Sequence, residues 1–327
     1  MKPSSAVDYR PRNPLLSPRF GDIATFNRLP YLPDLKGKQA DVAILGVPFD
    51  GGTSFRPGAR FAPRAVREAS VLNRNFNPAL GVHVYDELNV VDAGDISVNP
   101  LNLQATYQNI EARVTEVLEA GARAILVGGD HSIFLPELRA VHKQFGKPIV
   151  VQIDAHTDTA DQAWGEKYHH GTPIRRAIEE DLICGSDVFQ IGIRGPLTSA
   201  DQEAYCREQK INILDIDGFY DLSVREEFFE RIHAKAGTHG PRSKRRPVHI
   251  TFDVDGVDPA YAPGTGTPVI GGMTSREALG CLRRLRGLWI CGANVVEISP
   301  PYDHADLTSL LGAGVVFEFL SLMALKN

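Results

Sequence analysis

Three side chains that could bind a metal ion follow a short apolar segment near the middle of the chain. The segment 148–151 reads Pro-Ile-Val-Val, and Asp154, His156 and Asp158 come shortly after it. An extended backbone places alternate side chains on one face, so these three would converge if the strand continued, and an early loop could also bring them together. Two carboxylates and an imidazole suit a divalent cation, although a polar loop after a buried strand explains this segment equally well.

Similar side chains follow other apolar segments of the chain. Gly-Gly-Asp-His-Ser at 128–132 follows one segment, Asp-Val-Asp-Gly-Val-Asp-Pro at 253–259 follows another, and Glu297 follows the last. In open parallel sheets, ligands bind beyond the carboxyl ends of the strands, so we expect these side chains to share one edge of the sheet. The candidate metal ligands at this edge are His131, Asp154, His156, Asp158, Asp253 and Asp255.

Four of these six candidates are aspartates, and their charge limits what the site can bind. Carboxylates packed together raise one another's pKa unless positive charge is supplied. Two divalent cations would neutralise all four, and six side chains can hold two ions if Asp154 and Asp253 bridge them. Oxygen and imidazole ligands without cysteine favour Mn²⁺, while Zn²⁺, Co²⁺, Ni²⁺ and iron can also bind. Two-metal sites of this kind lower the pKa of a shared water molecule and catalyse hydrolysis.

Eight short apolar segments, rich in β-branched residues, predict the strands that position these side chains. They lie at 41–45, 88–91, 122–127, 149–151, 188–191, 211–214, 248–252 and 293–296. Apolar residues spaced three and four apart predict helices between them, at 104–119, 134–145, 201–209, 223–236, 275–285 and 306–325. The alternation predicts a three-layer α/β/α sandwich with a central parallel sheet of about eight strands.

The composition restricts the class of protein. A chain of 327 residues with 43% hydrophobic and 23% charged residues and a net charge of -5 is typical of a globular protein with a small-molecule partner, not of a nucleic-acid or membrane-binding one. Four cysteines without a CxxC motif argue against a disulfide scaffold and a thiolate zinc site, and favour a reducing cytoplasm. We expect one domain over residues 1–327. Residues 1–22 hold four prolines and no apolar core, which predicts an extended N-terminal arm and neither a signal peptide nor a membrane span.

The motifs resemble those of the ureohydrolase superfamily, which includes the arginases and agmatinases and hydrolyses guanidino groups to urea. The resemblance rests on segments 128–132, 154–158 and 251–259, with further matches at 46–58, 170–173, 262–266 and 297–303. It implies the arginase-like fold and a dimanganese amidinohydrolase, in which a hydroxide that bridges the ions attacks the guanidino carbon. It also implies a homotrimer or homohexamer.

The resemblance also assigns individual roles. It gives one Mn²⁺ ion the ligands His131, Asp154, Asp158 and Asp253. It gives the other the ligands Asp154, His156, Asp253 and Asp255. His170 is implied as the proton shuttle, with its neighbour His169 as the alternative, and Glu297 as the carboxylate that binds the substrate guanidinium, with a rim carboxylate as the alternative.

The loop at 159–169 is predicted to contact the far end of the substrate. Its two acids and one lysine slightly favour a cationic tail, for which Asp161 is the candidate ligand. Trp164 and Tyr168 could line a methylene chain, although buried packing explains either ring at least as well. Together with the resemblance to agmatinases and guanidinobutyrases, this predicts hydrolysis of agmatine to putrescine and urea. Hydrolysis of a guanidino acid, such as 4-guanidinobutyrate or 3-guanidinopropionate, is the alternative.

Two asparagines depart from the pattern of the resembling proteins. Asn27 stands where methionine is frequent, and its segment could approach the mouth of the pocket and influence the choice of substrate. Asn294 stands where aspartate is common. Two other classes of function are compatible with the motifs: a deacetylase-like enzyme with one zinc ion, and a non-catalytic metal-binding regulatory subunit.

Overall fold

The computed structural model describes residues 7–197, 199–241 and 244–325. The strands are β1 (Val42–Gly46), β2 (Phe76–Asn77), β3 (Val82–His83), β4 (Val90–Asp95), β5 (Arg123–Val127), β6 (Ile149–Ile153), β7 (Val188–Ile193), β8 (Asn212–Asp215), β9 (Pro247–Asp253) and β10 (Trp289–Val296). Eight of them form one sheet in the order β4-β1-β5-β10-β9-β6-β7-β8, and every neighbouring pair is parallel. The short strands β2 and β3 form a separate antiparallel pair.

Helices cover both faces of the sheet. They are α1 (Ala62–Ala69), α2 (Val84–Glu87), α3 (Leu103–Glu119), α4 (Phe134–Phe145), α5 (Pro173–Glu179), α6 (Ala200–Glu208), α7 (Ile216–Tyr220), α8 (Leu222–Ala236), α9 (Ser275–Arg284) and α10 (Leu307–Ala324). Apolar residues of α1, α8, α9 and α10 share one core cluster with one face of the sheet, whereas those of α3, α4 and α5 pack in two clusters on the opposite face. This arrangement confirms the predicted three-layer α/β/α fold.

The strands are apolar on both sides because both of their faces are buried. In β1, Val42 and Ile44 belong to the core cluster of α10, and Ala43 and Leu45 belong to the cluster of α3. The helix α10 is long and apolar enough to cross a membrane, but 78% of its length is buried inside the protein. A helix that is apolar on nearly all sides is expected to be buried, and α10 is such a core helix.

The eight predicted strands and the six predicted helices all correspond to observed elements. The pair β2–β3 and the helices α1, α2, α5 and α7 were not predicted; β2, β3, α2, α5 and α7 have only two to seven residues, too few to display a helical or strand period clearly. In α1 and α5, a proline stands in the first turn, where its missing N–H is tolerated, so the sequence reads as a loop although it starts a helix.

Residues 7–22 form the described part of the predicted N-terminal arm, and residues 1–6 lie outside the described ranges. This part contains no helix or strand and lies along the surface. The backbone N–H of Arg12 donates to the carbonyl of Arg28 at 3.1 Å, and Arg28 in turn donates to the carbonyl of Ser17 at 3.0 Å. The arm is therefore held to the body of the protein by polar contacts.

Candidate metal centre

A turn with left-handed backbone ends β5 and places His131 beneath the edge of the sheet. Gly128 and Gly129 have φ angles of 87° and 77°. A Cβ atom on Gly129 would lie 2.9 Å from the carbonyl oxygens of Val47 and Phe49, so only glycine fits this close approach of two backbones. The turn directs the chain back over the sheet, and His131 becomes almost completely buried.

The imidazole of His131 lies among three of the candidate aspartates. Its Nδ1 atom is 2.7 Å from Asp158, 3.2 Å from Asp154 and 3.4 Å from Asp253, measured to Oδ2 in each case. This Nδ1 is buried and has no hydrogen-bond partner among the described residues. A buried, unpartnered nitrogen surrounded by carboxylates is the arrangement that a metal ion would satisfy.

His156 occupies a second cluster that shares Asp154 with the first. Its Nδ1 atom lies 3.0 Å from Oδ2 of Asp255 and 3.6 Å from Oδ1 of Asp154. In the described chain, His131, Asp154 and Asp253 form one group whose ligand atoms lie within 4.8 Å of one another, and Asp154, His156 and Asp255 form another. The donor set therefore fits two adjacent divalent ions with Asp154 between them.

The electrostatics of the site show how much positive charge it lacks. Burial, and next the charge of Asp255, raises the pKa of Asp253 well above its usual range. Burial opposes ionisation of Asp154 as well, but the neighbouring imidazoles of His131 and His156 outweigh burial and lower its pKa. Burial lowers the pKa of His156, and the carboxylates around it raise it to about 12. Protons thus supply part of the charge that cations would supply.

Metal binding is expected to weaken as the pH falls below about 6. Burial, and next the charge of Asp154, raises the pKa of Asp158 to about 6, so below this pH an ion must displace its proton. Because this pKa is raised on folding, the stabilising contribution of the proton is present at low pH and is lost as the pH rises from about 4 to about 6. The increase in thermal unfolding midpoint on addition of Mn²⁺ should therefore grow as the pH rises through about 6, and displacement of the His156 proton extends this growth to higher pH. An increase that is independent of pH would contradict this assignment.

Two buried glutamines, which the sequence did not single out, orient the aspartates of the first cluster. Gln152 Nε2 donates to Oδ2 of Asp154 at 2.7 Å and to Oδ2 of Asp158 at 3.2 Å. Gln190 does not contact the aspartates directly. Its Nε2 donates to the side-chain oxygen of Gln152 at 2.8 Å and so holds that glutamine in place. Both glutamines are fully buried. They stand on the neighbouring strands β6 and β7, and only the pairing of those strands reveals the connection.

Glu297 lies next to the aspartate clusters with one oxygen engaged and one free. Its Oε1 accepts a hydrogen bond from the backbone N–H of His131 at 2.7 Å and lies 2.9 Å from Nδ1 of His170. Its Oε2 is buried and has no partner in the described part of the chain. A Cβ atom on Gly266 would come within 3.3 Å of this oxygen, so the glycine keeps space beside it. Oε2 of Glu297 can therefore accept a hydrogen bond from an N–H or O–H group of a ligand.

Asp158 and Glu297 both have left-handed backbone, with φ angles of 53° and 64°. Such conformations are unfavourable for residues other than glycine and persist where the surrounding structure holds them. Both residues stand in the loops that follow central strands, where the chain must turn sharply to bring a carboxylate over the sheet edge.

His170 has a partner for each of its protonation states. Burial lowers its pKa, but the charge of Glu297 and the hydrogen bond to it raise the pKa to about 9. Its Nε2 atom lies 3.1 Å from the backbone N–H of Ser54 and 2.6 Å from the Ser54 hydroxyl. The unprotonated nitrogen can accept from this N–H, and the protonated one can donate to the hydroxyl oxygen. Sequence reasoning missed Ser54, because a single serine in a glycine-rich loop carries no signal of its own.

Asp130, which precedes His131, organises the loop that carries Ser54. Its two oxygens accept hydrogen bonds from the backbone N–H groups of Gly52 at 2.7 Å and Ser132 at 2.9 Å. Burial, and next the charge of Glu297, raises the pKa of Asp130 to about 6. This carboxylate thus joins the turn after β5 to the loop after β1 and fixes the position of Ser54 relative to His170.

A cavity of about 180 Å³ opens onto both clusters. Its lining includes His131, His156, Asp158, His170 and Asp253, together with Ser54, Thr157, Ala160, His169, Gly171, Gly195, Pro196, Leu197, Gln202 and Thr267. The cavity therefore brings the proposed proton shuttle and the metal-ligand candidates to one space, and the loop that contains Ala160 forms part of its wall.

The three residues predicted to bind the tail of the substrate do not line this cavity. Asp161 pairs with Arg176 at 2.7 Å and lies 3.5 Å from Arg175, because α5 places both arginines beneath the loop. Trp164 is 82% exposed at the tip of a tight turn. Tyr168 packs edge-on against Tyr107, with ring centroids 6.2 Å apart, in the core cluster of α4 and α5.

Asn27 lies away from the cavity, contrary to the expectation that its segment approaches the mouth. Its backbone N–H donates to the hydroxyl of Ser70 at 2.8 Å, and its side-chain oxygen accepts from Asn73 at 2.8 Å. The neighbouring Phe26 donates to Asp92 on the edge strand β4. The segment is therefore part of the packing at the far edge of the sheet.

Comparison with known proteins gives consistent matches along most of the chain. The family model described as the arginase family matches residues 40–321. The chain is 43% identical to guanidinobutyrase of Pseudomonas aeruginosa over 307 residues, and this alignment covers 94% of each sequence. It is 42% identical over 301 residues to the mitochondrial agmatinase of Gallus gallus, covering 92% of this chain and 86% of the relative. The solved structure of proclavaminate amidinohydrolase from Streptomyces clavuligerus has a TM-score of 0.86 and 41% identity, covering 94% of this chain and 99% of that one.

Proposed function

The chain belongs to the arginase family and is a ureohydrolase, and on that premise we propose that it hydrolyses a short guanidino acid to urea and an amino acid. The observation that carries the proposal is the convergence of four buried aspartates and two histidines beside the free oxygen of Glu297. This combination offers sites for cations and an acceptor for a guanidinium in one small cavity. The motif-based resemblance to ureohydrolases is thereby confirmed, whereas the substrate is our inference.

We further propose that the cofactor is a pair of Mn²⁺ ions. His131, Asp154, Asp158 and Asp253 would hold one ion, and Asp154, His156, Asp253 and Asp255 the other. When bound, the ions neutralise the carboxylates and lower the pKa of water so that hydroxide is available at neutral pH. Carboxylates and imidazoles without cysteine are a ligand set that Mn²⁺ accepts readily.

Glu297 would orient the substrate. A guanidinium is a planar group of N–H donors, and a carboxylate oxygen receives such a donor in a charge-assisted hydrogen bond. Because Oε1 of Glu297 is already held by His131 and His170, its free Oε2 has a fixed direction. A guanidinium bound there is positioned for attack without a further loss of side-chain freedom at the moment of reaction.

His170 would supply the proton that the departing amine needs. Its Nδ1 is held by Glu297, and its Nε2 faces Ser54 at the wall of the cavity. With a pKa of about 9, the imidazole carries a proton at neutral pH. Ser54 can accept this proton in a hydrogen bond before the reaction and can donate its backbone N–H to the bare nitrogen afterwards.

The names of relatives support a guanidino acid, since they include guanidinobutyrase and guanidinopropionase of Pseudomonas aeruginosa. The cavity removes the charge argument for a cationic tail without supplying a lysine or arginine among its described lining residues. The preference for agmatine rested on the two acids of the loop at 159–169 together with the family resemblance, and in the fold one of these acids, Asp161, pairs with Arg175 and Arg176. Among the described residues that line the cavity, the carboxylates are Asp158 and Asp253, which both belong to the metal-ligand set. A terminal ammonium would therefore lack an acidic partner of its own. Agmatine is the second candidate, because the names of the relatives include both guanidinobutyrase and agmatinase.

A panel of guanidino compounds tests the proposed substrate class. After loading with Mn²⁺, urea release should be fastest with 4-guanidinobutyrate or 3-guanidinopropionate, with kcat/KM at least about tenfold above that for agmatine or arginine, which corresponds to about 1.4 kcal/mol in the transition state. A higher kcat/KM with agmatine would reject the guanidino acid and leave the ureohydrolase assignment intact.

The variant Asp161→Asn tests whether the protein has an acidic partner for the terminal amine of agmatine. If Asp161 only pairs with the arginines of α5, KM for agmatine should change by less than about twofold, because rim ion pairs contribute little. The change should be equally small for 4-guanidinobutyrate. A selective rise in KM for agmatine would mean that Asp161 binds a terminal amine.

We also propose that the chain assembles into a trimer or hexamer. The apolar side chains of Leu15, Leu16, Phe20 and Ile23 are between 85% and 95% exposed. Three of them belong to the arm, which contacts the body through polar groups and through Tyr9 and leaves these three side chains exposed. Four large exposed apolar side chains within nine residues of the sequence support association with another copy.

A further inference from the structure

Polar side chains occupy alternate positions along β9, although the strand is buried on both faces. Val248, Ile250 and Phe252 pack into the core cluster of α10. His249 and Thr251 stand between them in sequence, point to the opposite face and are fully buried. Buried polar groups require partners, so these side chains have a purpose on the α4 side of the sheet.

These residues form a hydrogen-bonded chain that begins at the candidate metal ligand His131. His131 Nε2 lies 2.7 Å from the hydroxyl of Thr251, which donates to Oδ1 of Asn294 on the adjacent strand β10 at 2.6 Å. Asn294 Nδ2 then donates to Oε2 of Glu137 on α4 at 2.6 Å. His249 Nε2 lies 2.9 Å from the other oxygen of Glu137. Thr251, Asn294, Glu137 and His249 are each 0% exposed.

The direction of the hydrogen bonds follows from the carboxylate at the end of the chain. Glu137 can only accept, so Asn294 must turn its NH₂ group toward it and its carbonyl oxygen toward Thr251. The single hydroxyl hydrogen of Thr251 is then committed to Asn294. The Thr251 oxygen is left as an acceptor for His131, whose Nε2 must carry the proton.

We propose that Asn294 and Glu137 are positioning residues that fix the tautomer of His131 in which Nδ1 is free to bind a metal ion. With the proton on Nε2, the lone pair of His131 lies on Nδ1, the atom that faces Asp154, Asp158 and Asp253. The opposite tautomer would point an N–H at that position and exclude a cation. The inference rests on the proposed metal-binding role of His131 and does not depend on the identity of the substrate.

Two variants remove the fixed donor-to-acceptor direction of these hydrogen bonds and keep side chains of similar volume. In Asn294→Leu, the Thr251 hydroxyl loses its acceptor and can donate only to His131 Nε2, which favours the wrong tautomer. In Thr251→Val, Nε2 has no acceptor to hold its proton. We expect each variant to weaken Mn²⁺ binding by about 10- to 100-fold, the range typical for the loss of a partner that orients a metal ligand.

The double variant Glu137→Gln with Asn294→Asp exchanges the carboxylate and the amide. An aspartate at position 294 still accepts from Thr251, and a glutamine at position 137 can donate to that aspartate and accept from His249. The hydrogen bond from His131 Nε2 to the Thr251 oxygen therefore keeps its direction, and we expect the Mn²⁺ affinity to stay close to the wild-type value. Asn294→Asp alone places a second carboxylate beside Glu137 and should mainly lower the stability of the protein.

Asn77→Leu is the matched control. Asn77 is another buried asparagine that donates to a buried glutamate, Glu318, at 3.2 Å, but it stands on β2 and contacts α10. Its loss should lower the thermal unfolding midpoint of the metal-free protein and leave the Mn²⁺ affinity unchanged. A general loss of stability is thus distinguished from a loss of tautomer control.

The measurement is a titration of the full chain with Mn²⁺, in which free Mn²⁺ is quantified by electron paramagnetic resonance, together with thermal unfolding of each metal-free variant. Weakened binding in Asn294→Leu and Thr251→Val, with retained binding in the double variant, supports the inference. Wild-type affinity in folded Asn294→Leu and Thr251→Val, or a double variant as weak as Asn294→Leu, would overturn it. A wild-type chain that binds no Mn²⁺ would instead reject the proposed metal centre and the inference together, and this result appears before any variant is made.

Discussion

Asp253→Asn is expected to abolish metal binding and urea release together. Asp253 ends the central strand β9, and its Oδ2 lies 3.4 Å from Nδ1 of His131. Asparagine has nearly the same shape and can still accept the backbone N–H of Asp255, so the fold should persist. It removes, however, one of four negative charges and turns a ligand oxygen into a potential N–H donor. We expect fewer than two Mn²⁺ ions per chain by elemental analysis and a fall in kcat/KM of at least about 10³-fold.

Asp258→Asn provides the control for this result. Asp258 lies five residues further along the chain and accepts hydrogen bonds from the backbone N–H groups of Ala260, Gly271 and Gly272, so it stabilises a turn. Its substitution should cost stability and leave two ions bound. If Asp253→Asn retained both ions and lost only activity, the assignment of Asp253 as a ligand would be wrong.

His170→Ala is expected to retain both metal ions while kcat falls by about 10²- to 10⁴-fold, the usual contribution of a positioned proton donor. The Nδ1 of His170 is held by Glu297, and its Nε2 faces Ser54. The substitution therefore removes the proposed proton donor and leaves the aspartate clusters in place. KM should change less than kcat, because the backbone N–H of His131 still holds Oε1 of Glu297 and its Oε2 stays free for the guanidinium. Elemental analysis and steady-state urea release measure the two quantities separately.

Added imidazole is a direct control for this prediction. It should restore part of the activity of His170→Ala, because a free imidazole can occupy the space that the side chain leaves, and it should leave the Asp253→Asn variant inactive. Loss of metal from His170→Ala, or activity that is unchanged, would mean that His170 has a different role. His169 is the alternative proton shuttle. If His170 is the shuttle, the His169→Ala variant should keep nearly full activity.

Much of the site was predictable because residues that directly follow the strands of a parallel sheet lie together at one edge of that sheet. Asp154, His156 and Asp158 follow one strand, and Asp253 and Asp255 follow another, so the sequence places them together without a structure. Even so, the sequence could not state which strands are neighbours. The contact of Gln152 with Gln190 depends on the pairing of β6 with β7, and the link between Thr251 and Asn294 depends on the pairing of β9 with β10.

The tail of the substrate was harder to predict because charges in a loop have partners that the sequence does not reveal. Asp161 read as a free acid in a loop, but α5, an unpredicted helix, brings Arg176 beneath it. Trp164 and Tyr168 stand four residues apart in the same loop, and one is exposed while the other packs in the core. Side chains in irregular segments follow the surrounding packing, and no periodicity encodes it.

The place of β10 in the sheet has a consequence for how the protein matures. This strand is the last in the chain, yet it lies between β5 and β9 at the centre of the sheet. During synthesis the sheet is left with a gap until residues 289–296 have emerged, and His131 and Asp253 cannot be held in their final relation before that gap is closed. On the proposed metal centre, capture of the ions would therefore be a late event, one that follows the completed sheet and does not guide its assembly. A nascent chain that stalls before β10 would be unable to sequester the metal.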